Sequence, residues 1–340
     1  MGVFRVKWSS VTLSGVACLL GLIPGAPAPA APSGAHADTT AGRIAYGRDG
    51  DIYTIRPDGS GGRRLTTTGD AGFPRWSPDG RRLAFLRRGD VYVMRADGGG
   101  TRRLTYGART TEPAWSPDGR RIVAVRGTGS HTDLYRIALA GGSPRRLTRA
   151  ADKGCDVATP TWQGMSIVFV RTCPSRPGKP SRVQLRLLDL RSGRQSVVLD
   201  ATVHYGYARG PRFTARGAIM FLGCVADRPY VCGPGRHVYV MNLDGSGLRI
   251  VLAGGGTDGD PNNTSAAPSP VDEAAFVVEW SAPSGDSDDD RTEEGLDVCI
   301  GECRALLPGS RDHSVDDPDW QPLQPRTERS AGHLDQAGRT

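Results

Sequence analysis

Residues 73–105 read F-P-R-W-S-P-D-G-R-R-L-A-F-L-R-R-G-D-V-Y-V-M-R-A-D-G-G-G-T-R-R-L-T. Three short apolar runs are separated by two turn signals. In Ser77-Pro78-Asp79-Gly80 the proline presets φ, the aspartate bonds the local backbone and the glycine accepts a positive φ. Asp97-Gly98 is a hairpin signal between alternating β-formers. The stretch predicts four strands, ending near Trp76, over Leu83–Phe85, over Val91–Met94 and at Arg103–Thr105. Such a unit cannot bury both of its faces alone.

It recurs. The second half, G-D-V-Y-V-M-R-A-D-G-G-G-T-R-R-L-T (Gly89 to Thr105), has counterparts at Gly50 to Thr66, Thr132 to Thr148 and His237 to Gly247. The first half returns as E-P-A-W-S-P-D-G-R-R-I-V-A (Glu112 to Ala124), and more loosely at Thr159 to Phe169, Gly210 to Phe221 and Ala267 to Val278. A last fragment is D-P-D-W-Q-P (Asp317 to Pro322). A period of roughly 40–55 residues suits four-stranded propeller blades, which stack so that each covers its neighbour. The N-terminal copy lacks a first strand, and the C-terminal fragment is a first strand with nothing after it. Joined, they complete a sixth blade. The expectation is therefore an all-β, six-bladed propeller of four-stranded antiparallel blades, closed by N-terminal strands pairing with a C-terminal strand. Trp76, Trp115, Trp162, Phe213 and Trp320 fall in phase and are read as wedges between blades.

Composition agrees. The 340 residues include 46 glycines and 25 prolines, yet 38% are hydrophobic, which excludes both a helical and a disordered chain.

The block W-S-P-D-G-R-R-L-A-F followed by D-V-Y-V-M-R-A-D-G-G-G-T-R-R-L-T resembles the WD-like propeller repeat of the TolB family (PD40). The resemblance spans Arg43 to Pro322 and is strongest in the first three units. It implies the propeller fold, which by itself does not fix a function; the extra N-terminal domain of TolB has no counterpart after Asp38, so a TolB-like partnership in an envelope complex does not carry over.

The first 37 residues read as a secretory signal peptide: Arg5 and Lys7, an apolar run from Val11 to Ile23, then Ala35-His36-Ala37 before a cleavage at Asp38. A lipid anchor on Cys18 is the weaker alternative, because Gly15 stands where such signals carry leucine. No stretch is long enough for a membrane span. The propeller is expected over 38–323 and a disordered polar tail over 324–340. Without the leader the formal charge falls from +7 to +5, and six cysteines remain. In an exported chain these read as disulfides. Cys155 and Cys173 lie equally far from the hairpin tip at Gly164, Cys224 and Cys232 bracket one loop, and Cys299 and Cys303 flank a turn. The pairs Cys155–Cys173, Cys224–Cys232 and Cys299–Cys303 follow, with no metal site and no cofactor.

Function is less legible. Loops joining one blade's fourth strand to the next blade's first strand converge on the central channel. They carry Asp70, Glu112, Asp156, His204, Tyr205, Asp260, His313 and Asp316, a set suited to a cation, a sugar or a peptide amine. Solvation alone also explains polar loops. No G-x-S-x-G, H-E-x-x-H or phosphate loop is present. A non-catalytic binding or scaffold propeller is expected, engaging a protein, peptide or cell-wall glycan as a monomer. A metal-assisted carbohydrate lyase or hydrolase using His204 and His313 is the alternative. The pairs Arg63-Arg64, Arg102-Arg103 and Arg145-Arg146 should stripe one sector of the rim and offer it to an anionic polymer. Nucleic acid is excluded, because no aromatics interleave with the arginines.

Overall fold

A computed structural model describes residues 42–322 apart from 108, 176–180, 202–206, 225–235, 254–261, 273, 284–291, 301 and 311–313. The Ser-Pro-Asp-Gly turns form as the residue types require. The Gly80 N–H donates to the Ser77 carbonyl at 2.7 Å, with Gly80 at φ +60°. The Ser77 hydroxyl donates to Asp79 at 2.5 Å and accepts from the Arg82 N–H at 2.9 Å. The turn at Ser116–Gly119 repeats these bonds.

Strands thus paired build six four-stranded antiparallel sheets. Blade 1 comprises Ala71–Trp76, Arg82–Arg87, Asp90–Arg95 and Arg102–Arg103, from the channel outward. Blade 2 comprises Thr110–Trp115, Arg121–Thr128, His131–Ala138 and Arg145–Arg146. Blades 3, 4 and 5 begin with Asp156–Gln163, Tyr207–Phe213 and Asn262–Pro268. Blade 6 is shared by the two halves of the chain. Val315–Trp320 pairs with Ile44–Arg48, with Trp320 opposite Ile44 and Val315 opposite Arg48, and Asp51–Ile55 and Arg63–Arg64 follow outward. The six-bladed ring closed across the chain ends is as the repeats predict.

The core is six interfaces rather than one. Period-2 alternation sends Leu83 and Phe85 toward blade 6, where Ala45, Ile52, Trp76 and Met94 join them. Ala84 and Leu86 of the same strand face blade 2 and pack with Trp115, Ile122 and Ile137. Trp320 closes the last interface among Ile44, Val277, Leu296 and Val298. The aromatic wedges expected from their phase are Trp76, Trp115 and Trp320, each buried, with Trp162 and Phe213 half-buried at the next interfaces.

The paired arginines form the outermost strands of three successive blades, and one member of each pair is neutralised there. The second of each pair turns inward onto an aspartate in the first three residues of the third strand of its own blade. Arg64 meets Asp51 at 2.5 Å, Arg103 meets Asp90, and Arg146 meets Asp133 at 2.5 Å, each aspartate being buried. The threonine of the Arg-Arg-Leu-Thr run adds its hydroxyl to the same carboxylate, at 2.7 Å from Thr66, 2.9 Å from Thr105 and 2.6 Å from Thr148. The first arginine reaches forward to the next blade: Arg63 donates to the Asp97 carbonyl at 2.9 Å and Arg102 to that of Leu139 at 2.6 Å. A buried aspartate needs its oxygens satisfied, and the outermost strand supplies the donors.

Disulfides join Cys155 to Cys173 and Cys299 to Cys303. Cys224 is also disulfide-bonded; Cys232 lies outside the described residues.

Candidate channel site

Each innermost strand carries an extra residue. The register slips between Gly72 and Arg75, Thr111 and Ala114, Ala158 and Thr161, Arg209 and Arg212, and Asn263 and Ser265, and blade 6 slips opposite Ala45–Gly47. The bulged residue is left-handed in five blades: Phe73 (φ 55°), Glu112 (φ 52°), Thr159 (φ 46°), Gly210 (φ 56°) and Asp317 (φ 47°). In all five a proline follows, which can sit there because a bulge asks no ladder N–H of it. The extra residue bends the strand and re-aims its side chain. Phe73, Glu112, Thr159, Gly210, Thr264 and Asp317, one from every blade, line a single chamber of about 230 Å³.

The chamber is rich in carboxylates. Glu279, from the second strand of blade 5, accepts from the Thr264 hydroxyl at 2.5 Å and from the Asp317 N–H at 2.9 Å. Burial, more than the nearby Asp317 and Asp316 charges, pushes its carboxyl up to about 8. Burial likewise lifts Asp316 to about 7, helped by Asp317 and Glu294. Glu112 is also raised by burial, although the Thr159 N–H donates to it at 2.5 Å. At neutral pH Glu279 therefore holds a proton.

A cross-bar of charged side chains closes the chamber on one side. Arg75 lies 3.6 Å from Asp317 and donates to the Pro74 carbonyl at 2.7 Å. Arg212 donates to the Pro211 carbonyl at 3.2 Å, and burial together with Arg75 lowers it to about 10. Asp319 accepts from the Trp76 N–H at 2.7 Å and is raised by burial. Beyond Arg75 and Arg212 a second cavity of about 360 Å³ opens among Trp76, Trp115, Trp320 and the prolines of the Ser-Pro turns. One end of the channel is thus charged, with carboxylates among arginines, and the other aromatic.

Of the residues singled out in the sequence, the structure brings Glu112 and Asp316 together in the chamber. They lie on strands rather than in loops, because the bulge lets the strand run past them. Asp70 stands at the entrance of blade 1, held by Arg87 at 2.7 Å and Arg88 at 2.5 Å. Asp156 opens blade 3 and reaches back to blade 2, accepting from the Thr132 N–H at 3.0 Å and lying 3.4 Å from His131 Nδ1. His204, Tyr205, Asp260 and His313 lie outside the described residues. Arg75, Arg212, Asp319 and Glu279 were not singled out. The signal for the first three is present in the sequence: each follows the X-Pro pair and precedes the in-phase aromatic, in F-P-R-W, G-P-R-F and D-P-D-W. Glu279 has no such signal. Among the described residues no group of three or more His, Cys, Asp or Glu is arranged to hold a metal ion, and no helix is long and apolar enough to cross a membrane.

A closed ring of six four-stranded blades around a carboxylate-lined channel defines a six-bladed β-propeller. Residues 59–204 match the PD40 family, TolB beta propeller domain. The fold is similar to the crystal structure of TolB from Acinetobacter baumannii, at 18% identity over 84% of this chain and 67% of that one, with a TM-score of 0.61. It is similar as well to a protein of Agrobacterium tumefaciens assigned as TolB (17% identity, 83% and 99% covered, TM-score 0.58). A chain in the crystal structure of a nidogen/laminin complex also matches, at 8% identity over 83% and 99% of the chains, with a TM-score of 0.57. No curated protein matches the sequence. Residues 59–204 thus carry TolB-type propeller repeats, and the fold of the described residues is a six-bladed β-propeller.

Proposed function

We propose that the protein is an exported, non-catalytic binding or scaffold propeller that takes a ligand at its acidic channel mouth. A polypeptide segment presenting a cationic group, such as a lysine side chain or an N-terminal amine, fits best. The observation that carries this is the burial of carboxyls in the chamber and its cross-bar. Glu112, Glu279, Asp316, Asp317 and Asp319 gather there with Arg75, Arg209, Arg212 and Arg236, and burial raises Glu112, Glu279, Asp316 and Asp319. The carboxylates raised by burial regain their charge when a cation enters, so the site favours that cation. A chamber of about 230 Å³ takes a side chain or a terminus, not a folded domain. The nidogen/laminin complex supports a protein partner for a propeller of this shape. Export is supported by the leader-like start before Asp38 and by the disulfides.

The test compares the protein with its Glu112→Gln/Asp316→Asn double variant in capture from the envelope and secreted fractions. A partner retained by the parent and lost by the variant is expected, with lysine-bearing peptides competing for it. A partner held equally by both would refute the reading. Tightly bound metal together with glycan turnover would replace it with the lyase or hydrolase.

A further inference from the structure

The internal repeat supplies its own control for every side chain, and at one place on the outer rim the control fails. In blade 1, Arg87 stands opposite Ala71 in the ladder and lies over the Tyr92 ring, 5.9 Å from its centroid. Asp70 neutralises it at 2.7 Å. In blade 2 the equivalent arginine is Arg126, opposite Thr110 and 5.6 Å from the Tyr135 centroid. The residue equivalent to Asp70 is Arg109. A guanidinium therefore occupies the position of the neutralising carboxylate. Asp133, across the ladder from Arg126, is already taken by Arg146, Thr148 and Ala150. Among the described residues Arg126 has no ion pair.

Arg126 lines a rim cavity of about 430 Å³ between blades 1 and 2. Arg102 and Arg103 line it too, and no carboxylate does. Arg103 is neutralised by Asp90, whereas Arg102 donates to a carbonyl and has no ion pair among the described residues. The cavity also holds Tyr106, which is 71% exposed and backed by the Arg103 guanidinium 4.6 Å from its ring centroid. Other blades place Thr67 and Arg149 at the position of Tyr106. Ser143 and the open backbone at Gly141 and Gly142, where an added Cβ would meet nothing within 4 Å, complete the wall.

We propose that this rim cavity binds an anionic saccharide, with a carboxylate of the sugar on Arg126 and Arg102 and the face of the sugar ring on Tyr106. The two surplus guanidiniums call for a negative charge of planar, two-oxygen geometry. The exposed ring calls for an apolar face, and the cavity lies within the size range of small-ligand sites. A bare phosphate meets only the first demand and a neutral sugar only the second; a uronate meets both. This site shares no residue with the channel chamber, so it stands or falls separately from the function proposed above.

The test is titration of the whole secreted protein with a tetramer of β-mannuronate, and with the matching neutral manno-tetraose, at low ionic strength. The mannuronate should bind at least tenfold more tightly than the neutral tetramer and weaken as salt rises. Tyr106→Ala and Arg126→Ala should each weaken it at least tenfold with melting temperature unchanged, Arg126→Lys should recover part of the loss, and Glu112→Gln/Asp316→Asn should leave it intact. Equal affinity for the neutral tetramer, full binding by both alanine variants, or equally strong binding of inorganic phosphate or poly-glutamate would overturn the proposal.

Discussion

Replacing Asp133 with alanine removes the centre of one outer-strand staple. The side chain is fully buried. One carboxylate oxygen accepts from the Thr148 hydroxyl at 2.6 Å and the Ala150 N–H at 2.7 Å, and the other from Arg146 at 2.9 and 2.5 Å. Arg146 is about a quarter exposed and keeps Asp152 at 2.5 Å, so its guanidinium is not stranded. The Thr148 and Ala150 donors have no such fallback, and each buried orphan costs about 1–3 kcal/mol. With the lost charged bonds, the substitution should cost about 3–5 kcal/mol, the range for breaking a buried pair from one side. Thr148→Val should cost about 1–2 kcal/mol, since it removes one bond and leaves the carboxylate otherwise satisfied. Urea unfolding measures both, provided the slope m is unchanged. A loss below about 1 kcal/mol for Asp133→Ala at constant m would show that Arg-Arg-Leu-Thr is not held by this aspartate, and the staple argument would fall for all three blades.

Three further outcomes follow from the same geometry. Glu279 has a folded value raised from 4.5 to about 8, so its contribution to stability is fully present below pH 4.5 and is lost as pH rises to about 8. Glu279→Gln should therefore gain on the parent protein across that window in thermal melts, and a difference that is flat or of opposite sign would contradict a buried, protonated carboxyl. Trp320→Ala should cost about 3–5 kcal/mol by opening the interface of blades 5 and 6, and deletion from Val315 onward should lower the melting temperature further; an unchanged melt would mean that the ring does not close through that strand.

The channel site was half-legible. Glu112 and Asp316 were readable as channel-facing acids from their place before each aromatic strand. Glu279 was not, because it sits in an ordinary alternating strand and becomes a channel residue only through the bulge opposite it, where it receives the Thr264 hydroxyl and the Asp317 N–H. The roles of the arginine pairs were hidden for a related reason. Their spacing in sequence is identical in three blades, but one member finds a buried aspartate thirteen residues back, and the other, at Arg63 and Arg102, a carbonyl in the next blade.

Blade number, strand order and the closing of the ring are properties of the sequence alone. Each blade is written in local turn chemistry and period-2 alternation, and a repeat that starts without its first strand must end with one. What a charged side chain does was settled only by tertiary structure. Glu279 meets Asp317 across 38 residues and Arg75 meets Asp317 across 242. Contacts of that range exist only once neighbouring blades are stacked, and burial in the channel then decides which carboxyl keeps its proton.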